Sequence, residues 1–590
     1  MRISWSKSTN TTNYYLVDDI RLPNCKRKTT TIEKLGNTQF LTEKYGTDDF
    51  FDILKDYAKE QTDLMNQGKL NISFSLSNYK LLEKNSFNSF KGGYLFPMDI
   101  YYKLKIDKIC DDISLRHKFS FDLNECLSYM VFDRILNPSS KLSTFESTKN
   151  YLIKPKFEIQ HLYRALSVLS EEIDFIQSSI YENSKKIIDR NTKVLFYDCT
   201  NFFFEIEQDD DFRKYGFSKE HRPNPIVQMG MFLDGSGIPL SFSVFSGNIN
   251  EQLSLKPLEK RIISDFSCSD FVVCTDAGLS SMSNRMFNST SKRDFITTQS
   301  VKKLKGYLKD WALDPNGWFC SYDLSCSRKF KKRLYNLEKD VLSSTDHDFK
   351  YSTFYKERWI KDDNGFEQRL IISFSLEYKE YLDSLNLKQF ERADKKIKSN
   401  RVNSKKANDV NRFINSMHFT KEGERATKSE FSLDFEKFIE ENKYNGFYGI
   451  CTSLDENDGF TTRSIINISS RRWKIERMFR VLKSELSARP VYLSRPDRIK
   501  AHFLTCFIAL QIITILDKKL NSKYPIEKVL ECLRNYNFLS IKNKGYLPSY
   551  KRDDITDLLH ETFNFRTDYE INDMKRMKKI IKDRKKRKFS

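Results

Sequence analysis

One apolar, aromatic run with a carboxylate inside it, "KVLFYDCTNFFFEIE" (Lys193 to Glu207), constrains this chain more than any other stretch. Its length and its Val, Phe and Tyr content read as a strand buried on both faces. Asp198 lies within it, between Phe196 and Tyr197 on one side and Phe202 to Phe204 on the other. Burying a carboxylate there is costly unless cations or donors meet it. The situation recurs in "FVVCTDAGLSS" (Phe271 to Ser281), a short buried strand ending in Asp276, with Ala277-Gly278 keeping the exit open. Between them, "PIVQMGMFLDGSGIPLSFSVFSGN" reads as two strands about the turn Asp234-Gly235-Ser236-Gly237, and "EQLSLKPLEKRII" as a helix. That order gives an α/β sheet with one antiparallel edge and a central strand meeting a second one. A single strand aspartate is ordinarily an end cap. Two on neighbouring strands repel each other, and a divalent ion is the simplest remedy. Oxygen-only ligands select a hard ion such as Mg²⁺ or Mn²⁺.

A site holding two ions for phosphoryl transfer needs a third carboxylate. Glu476, in "SSRRWKIERMFRVLKSEL" (Ser469 to Leu486), is the candidate. Drawn as a helix, Ile475, Phe479, Leu482 and Leu486 form one apolar stripe, and Arg472, Glu476, Arg480 and Lys483 an adjoining one. Docking the apolar stripe on the sheet would aim Glu476 along the sheet's edge, with the three cations where substrate phosphates enter. The alternative is an amphipathic surface helix whose Glu476 pairs internally with Arg472 and Arg480. That alternative explains neither strand aspartate.

The charge balance points the same way. The chain's 100 Lys+Arg exceed its 80 Asp+Glu by 20, giving a pI near 9.2, which favours a polyanionic partner, nucleic acid before membrane. The 11 cysteines are odd in number and scattered, without a Cys-x-x-Cys or a Cys/His quartet, so neither a disulfide framework nor structural zinc is expected. The start lacks an apolar signal core, and "FLTCFIALQIITIL" (Phe503 to Leu516) reads as too short to span a bilayer and contains Gln511. A reduced, cytoplasmic, nucleoid-associated protein with no membrane partner is the expectation.

Domain-sized lengths of texture divide the 590 residues. Residues 1–190 read as a mostly helical, DNA-binding region. Within it, "FDLNECLSYMVFDRILNPSSKLS" is a helix stopped at Asn137-Pro138, with Ser139 or Ser140 capping the next element; helices joined by a short turn are compatible with a helix-turn-helix. "HLYRALSVLSEEIDFIQ" carries Leu162, Leu166, Leu169, Ile173 and Ile176 as a helical seam. The α/β core spans 191–301 and 446–517, interrupted by an insert, 302–445, with a hairpin about Asn364-Gly365. Residues 518–590 read as helical, ending in the basic "KRMKKIIKDRKKRKF", expected either to bind phosphates or lie beside a dimer contact, or to be a solvated terminus.

"FYDCTNFFFE", "GFSKEHRPNPIVQMGMFLDGSGIPLSFSVFSGN", "VVCTDAGL" and "RRWKIERMFRVLKSELSARPVYLSRPDRIKAHF" together resemble the DDE transposases of bacterial insertion sequences, within them the insertion sequence four superfamily. The resemblance covers about Lys193 to Ile508 in segments and implies a ribonuclease-H-like mixed-sheet core interrupted by a β-rich insertion. The intervals of 78 positions from Asp198 to Asp276 and 200 from Asp276 to Glu476 suit that insertion. The family signature about the glutamate is Tyr, two residues, Arg, three, Glu, six, Lys. Arg472, Glu476 and Lys483 match it, while Ser469 stands at the tyrosine position.

The resemblance implies cut-and-paste transposition. Asp198, Asp276 and Glu476 would hold two Mg²⁺ or Mn²⁺, and Arg472, Trp473, Arg480 and Lys483 would contact DNA. The implied partners are double-stranded DNA, namely the element's terminal inverted repeats and the target, with a homodimer in the synaptic complex. Family members often cut the second strand through a DNA hairpin, which makes Trp311, Trp318 and Trp359 of the insert the residues to test as a stack for a flipped base. None is singled out by the sequence, and the ordinary reading of each is a core residue. His221, in "KEHRPNP", and the acidic "EQDDD" (Glu207 to Asp211) read as solvated loops. Two rivals remain: a ribonuclease-H-like nuclease that cuts without joining, and a decayed transposase kept as a DNA-binding regulator.

Overall fold

The computed structural model describes the chain apart from residues 9–10, 22–26, 67–80, 82–83, 85, 291, 322–333, 345–346, 400–401, 403–408, 420–427, 456–458, 542–543 and 587–590. Two compact units emerge: Met1–Phe87 with Lys542–Lys544, and Asn88–Ile541 with Gly545–Ser590.

The smaller unit is built on an antiparallel sheet of β1 (Arg2–Lys7), β2 (Thr12–Arg21) and β3 (Arg27–Asn37). The helices Thr38–Tyr45 and Phe51–Asn66 follow it, and Ile3, Leu16, Leu41, Phe50, Leu54 and Ala58 form a core of their own. The first helix starts where the Asn37 side chain accepts from the Phe40 N–H at 2.8 Å and stops at Gly46, whose φ of 68° ends it in the left-handed region. Strands thus open a region whose sequence reads as mostly helical; strands studded with Ser, Thr, Asn and Lys carry only a faint period-two signal.

In the larger unit β4 (Ser89–Lys91) comes first, then helices, then the five strands that define the fold: β5 (Val194–Phe203), β6 (Ile226–Asp234), β7 (Pro239–Ser246), β8 (Phe271–Thr275) and β9 (Arg293–Gln299). Their spatial order is β7-β6-β5-β8-β9, with β5, β8 and β9 parallel and β6 and β7 antiparallel. This is the ribonuclease-H-like α/β core. The hairpin turn forms as expected: Asp234 Oδ1 accepts from the Ile238 N–H at 2.9 Å, and Gly237 takes a φ of 85°.

Beyond β9 four strands of the insert extend the core sheet. β10 (Trp318–Ser321), β11 (Leu334–Tyr335), β12 (Thr353–Lys361) and β13 (Glu367–Ser375) continue the core sheet, joined to β9 through β16 (Phe447–Thr452), for ten strands in all. The expected turn about Gly365 connects β12 to β13, and Gly365 has a φ of 78°. The rest of the insert is the helix Leu376–Lys398, the hairpin β14 (Ile414–Phe419) and β15 (Lys428–Leu433), and the helix Phe435–Asn442, around Phe390, Ala393, Phe413 and Ile414. A last sheet, β19 (Asn572–Asp573), β18 (Gly545–Pro548), β17 (Asn537–Ile541) and β4, ties the C-terminal region back to the start of the unit.

The run from Phe503 to Leu516 extends to a helix of 24 residues, Pro496–Lys519, which is long and apolar enough to cross a membrane by length and composition. Arg498 and Lys500 lie in its first turns, ahead of the apolar run that reads as too short. Here 94% of its most apolar window is buried inside the fold, against the helices Leu123–Leu136 and Ile159–Glu171 and strand β7. Phe503 and Phe507 set their rings 4.7 Å and 4.8 Å from those of Phe202 and Phe242 on the sheet. Phe507→Ala is expected to cost about 3–5 kcal/mol by urea denaturation, the range for emptying a buried phenyl site.

The seam Leu162, Leu166 and Leu169 is buried, as its spacing predicts, while Leu123–Leu136 is buried along nearly its whole length. The basic tail is a packed helix, Met574–Lys586, and not a solvated terminus up to that point. Met577, Ile580 and Ile581 are buried, and Arg584 donates to Asp99 Oδ1 at 3.0 Å and Phe563 O at 2.7 Å.

Candidate active site

The two strand aspartates come together through register. β5 and β8 are parallel, with Phe196 opposite Cys274, so continuing two residues sets Asp198, midway along β5, beside Asp276, just past the carboxyl end of β8. Carboxyl ends of parallel strands are where α/β sheets place their ligands. Alternation decides the face. Tyr197 and Cys199 point to the core under Leu255, Leu258 and Ile262, while Phe196 and Phe202, in phase with Asp198, point to the side covered by the helix Trp473–Lys483.

Asp198 Oδ1 accepts the Cys199 N–H at 2.7 Å. Burial pushes its carboxyl up to about 6 from the ordinary 3.8, with repulsion from Asp276 added and Lys219 and Arg472 opposing. Lys219 donates to Cys199 O at 2.5 Å and reaches Glu251 at 3.1 Å. Asp276 caps the short 3₁₀ turn Ala277–Leu279, its Oδ1 accepting from the Leu279 N–H at 3.0 Å. Its backbone carbonyl accepts from Thr297 Oγ1 at 3.2 Å. A Cβ on Gly278 would stand 3.4 Å from Asp276 Oδ1, so glycine keeps that flank open.

The helix Trp473–Lys483 docks its apolar stripe as the period requires: Ile475, Phe479 and Leu482 are buried, with Met478 and Val481 between them. Glu476 remains exposed in its first turn. Among the described residues it pairs with neither Arg472 nor Arg480, so the internally salt-bridged helix is not what forms. Arg472 turns to the sheet instead, donating to Thr298 Oγ1 at 2.6 Å and Tyr448 OH at 3.4 Å, hydroxyls that themselves lie 2.8 Å apart. Glu476 is one helical turn, about 6 Å, further along the same stripe.

Lys483 donates to Glu220 at 3.1 Å and lies over the Phe202 ring, and Arg489 meets the other Glu220 oxygen at 3.0 Å. Arg480 and Trp473 are exposed, Trp473 by 54%. Sequence reasoning missed Lys219, Glu251, Thr298 and Tyr448, which the fold delivers from a loop and neighbouring strands. Ser469, at the signature tyrosine's position, is buried and its hydroxyl has no partner, while a tyrosine reaches Arg472 from β16.

Asp198 and Asp276 offer oxygen donors only, and Asp198 bears the penalty of burial with the repulsion of Asp276 added. That donor set fits a hard divalent cation. The three acids are not drawn to within 4.8 Å of one another; among the described residues that spacing occurs only for Asp557, His560 and Asp568. Arg566 already bridges Asp557 and Asp568 there.

Of the insert's tryptophans, Trp318 is fully buried and donates to Asp314 O at 2.9 Å, so it offers no face to a base. Trp311 lies under Lys356 and Arg358, and Trp359 is 48% exposed. His221 is exposed in its loop, and Asp209 and Asp210 turn to Lys214 and Arg213, away from the site.

The transposase DDE domain family matches residues 192–512, more than half of the chain. No curated protein matches. Among solved structures the chain is similar to the piggyBac transposase, in its synaptic complex with hairpin DNA, at a TM-score of 0.35 and 10% identity over 75% of this chain and 78% of that one. With a domain match of this extent on a ribonuclease-H-like sheet, the chain belongs to the DDE transposases.

Proposed function

We propose that this protein is a DNA transposase that cuts the ends of its element and joins them to target DNA by metal-dependent phosphoryl transfer. Asp198 and Asp276 hold the catalytic cations, Mg²⁺ or Mn²⁺, and Glu476 completes the set for two ions once DNA is bound. When present, the ions supply Lewis acidity at the scissile phosphate and to the attacking and leaving oxygens. The chain's own part is placement. Arg472, held by Thr298 and Tyr448, keeps a guanidinium beside the aspartates, where it meets a non-bridging phosphate oxygen. Arg480, Lys483 and Trp473 contact the DNA flanking the cut. Lys219 anchors the strand end carrying Asp198. The partners are inverted-repeat ends and target duplex, with two protomers in the synaptic complex, inside the cytoplasm.

The observation that supports this most is the parallel register of β5 and β8, which brings two carboxylates side by side, one of them buried within the sheet. The test is incubation of purified protein with labelled element ends and target plasmid, with and without Mg²⁺. Metal-dependent nicking and joined products are expected, lost in Asp198→Ala, Asp276→Ala and Glu476→Gln. Nicking without joined products would assign a nuclease, and binding without nicking a regulator.

A further inference from the structure

Outside the catalytic cluster, an open cleft of about 680 Å³ lies between the start of the helix Lys141–Thr148 and the turn at residues 487–492. It is lined by Arg134, Ser139, Ser140, Arg489 and Tyr492, among others. Arg134 is only 3% exposed, yet meets no carboxylate within it. Its Nη2 donates to Ser139 O at 2.8 Å, and its Nη1 to Ser487 O at 3.3 Å and Leu486 O at 3.5 Å. Arg134 Nε and Ser139 Oγ are buried without a partner, as are Arg489 Nε and Lys141 Nζ.

Of the other groups packed here, only Asp133 offsets this charge, and it makes no ion pair with Arg134. Lys141 is 4% exposed, and burial, with Arg134 adding repulsion, pushes its ammonium down to about 7. His502 Nε2 donates to Ala488 O, 3.1 Å away, lies 3.7 Å from Cys506 Sγ, and is held well below its ordinary basicity by burial. Cys506 stays a thiol, its acidity lowered by burial. Asp133 is committed to Ser147 at 2.6 Å, Tyr151 at 3.3 Å and Lys91 at 3.7 Å. One buried guanidinium, Arg134, a second at the rim, Arg489, and a Ser140-capped helix start face one cleft, an arrangement that calls for an anion.

We propose that this cleft is a phosphodiester subsite, seating a DNA backbone phosphate outside the one that is cut, between Arg134, Arg489 and the start of Lys141–Thr148. The assignment rests on the DNA-transposing reading above. The cleft is open, so it admits a polymer. It is also continuous with the proposed DNA face, because Arg489 shares Glu220 with Lys483. Tyr492, 66% exposed, stands at the rim for sugar and base contact, and Leu142, 59% exposed, lies beside the opening and makes no contact the subsite needs.

The test measures binding of a labelled mixed-sequence duplex by anisotropy across a salt series, using the full chain. Leu142→Asp, which brings a carboxylate to the rim, is expected to weaken binding roughly tenfold, while Leu142→Asn stays near wild type. Arg489→Gln should reduce the slope of log K against log salt by about 1, one phosphate contact's worth. Unchanged melting temperatures exclude unfolding as the cause. Wild-type protein that fails to bind duplex overturns the DNA reading itself. Duplex binding unaltered in both charge variants overturns the subsite alone. Inorganic phosphate that protects wild type but not Leu142→Asp against unfolding, with duplex binding unaltered, assigns the cleft to a free anion and also overturns it.

Discussion

Asp198→Asn is expected to act in two opposite directions: metal-dependent DNA cleavage falls by roughly 10³-fold or more, while the metal-free fold gains up to about 3 kcal/mol at neutral pH. The gain follows from the Asp198 carboxyl, which burial raises to about 6 from 3.8. Between those values the folded state holds the proton and the unfolded state does not, so stability declines as pH rises through the window. Above it the full penalty is present, and asparagine removes it. Urea denaturation in EDTA should show the variant more stable than wild type at about pH 7.5 and the two nearly equal at about pH 4. Adding Mg²⁺ should stabilise wild type and leave Asp198→Asn unmoved. A variant less stable than wild type at both pH values would mean that Asp198 is a structural cap.

The largest loss of stability is expected at Arg190→Leu, about 3–5 kcal/mol, the range for stranding one partner of a buried ion pair. Arg190 donates to Asp234 Oδ2 at 2.5 Å, with side chains 2% and 0% exposed. It also donates to Ser184 Oγ at 2.8 Å and to Pro239 O at 3.1 Å. These contacts hold the β6–β7 turn, whose Pro239 carbonyl also accepts from Gln511 on the buried helix at 2.9 Å. Burial already raises the Asp234 carboxyl against the opposing pull of Arg190. Without Arg190 it rises further, so the variant should regain part of its loss on acidification, as protonation neutralises the stranded group. Asp234→Asn placed on Arg190→Leu should recover part of it at neutral pH. A loss under about 1 kcal/mol, the usual range for an exposed pair, would contradict this account of the turn.

Local sequence made much of the core legible. An apolar, aromatic run about Asp198 marks β5, turn chemistry marks the hairpins at Gly237 and Gly365, and helical period marks the buried stripe of Ile475, Phe479 and Leu482. Those signals involve residues within one element. The partners of Arg472 were illegible because Thr298 and Tyr448 lie 174 and 24 positions away and meet it only once β9 and β16 pair. Lys219 was hidden similarly, since a polar loop gives no sign that it folds back on Cys199. The N-terminal sheet escaped because its strands are half-exposed and polar. The insert's strands were recognised one by one, but their joining to the core sheet is a property of long-range pairing. Trp318 failed as a base platform because the sequence could not distinguish a core indole from an exposed one.

The most direct measurement is the number of Mn²⁺ ions bound per protomer, by electron paramagnetic resonance, in complex with an element end. Two ions are expected for wild type, with binding reduced in Asp198→Asn, Asp276→Asn and Glu476→Gln. Equal Mn²⁺ binding by wild type and all three variants would contradict a metal centre built from these residues.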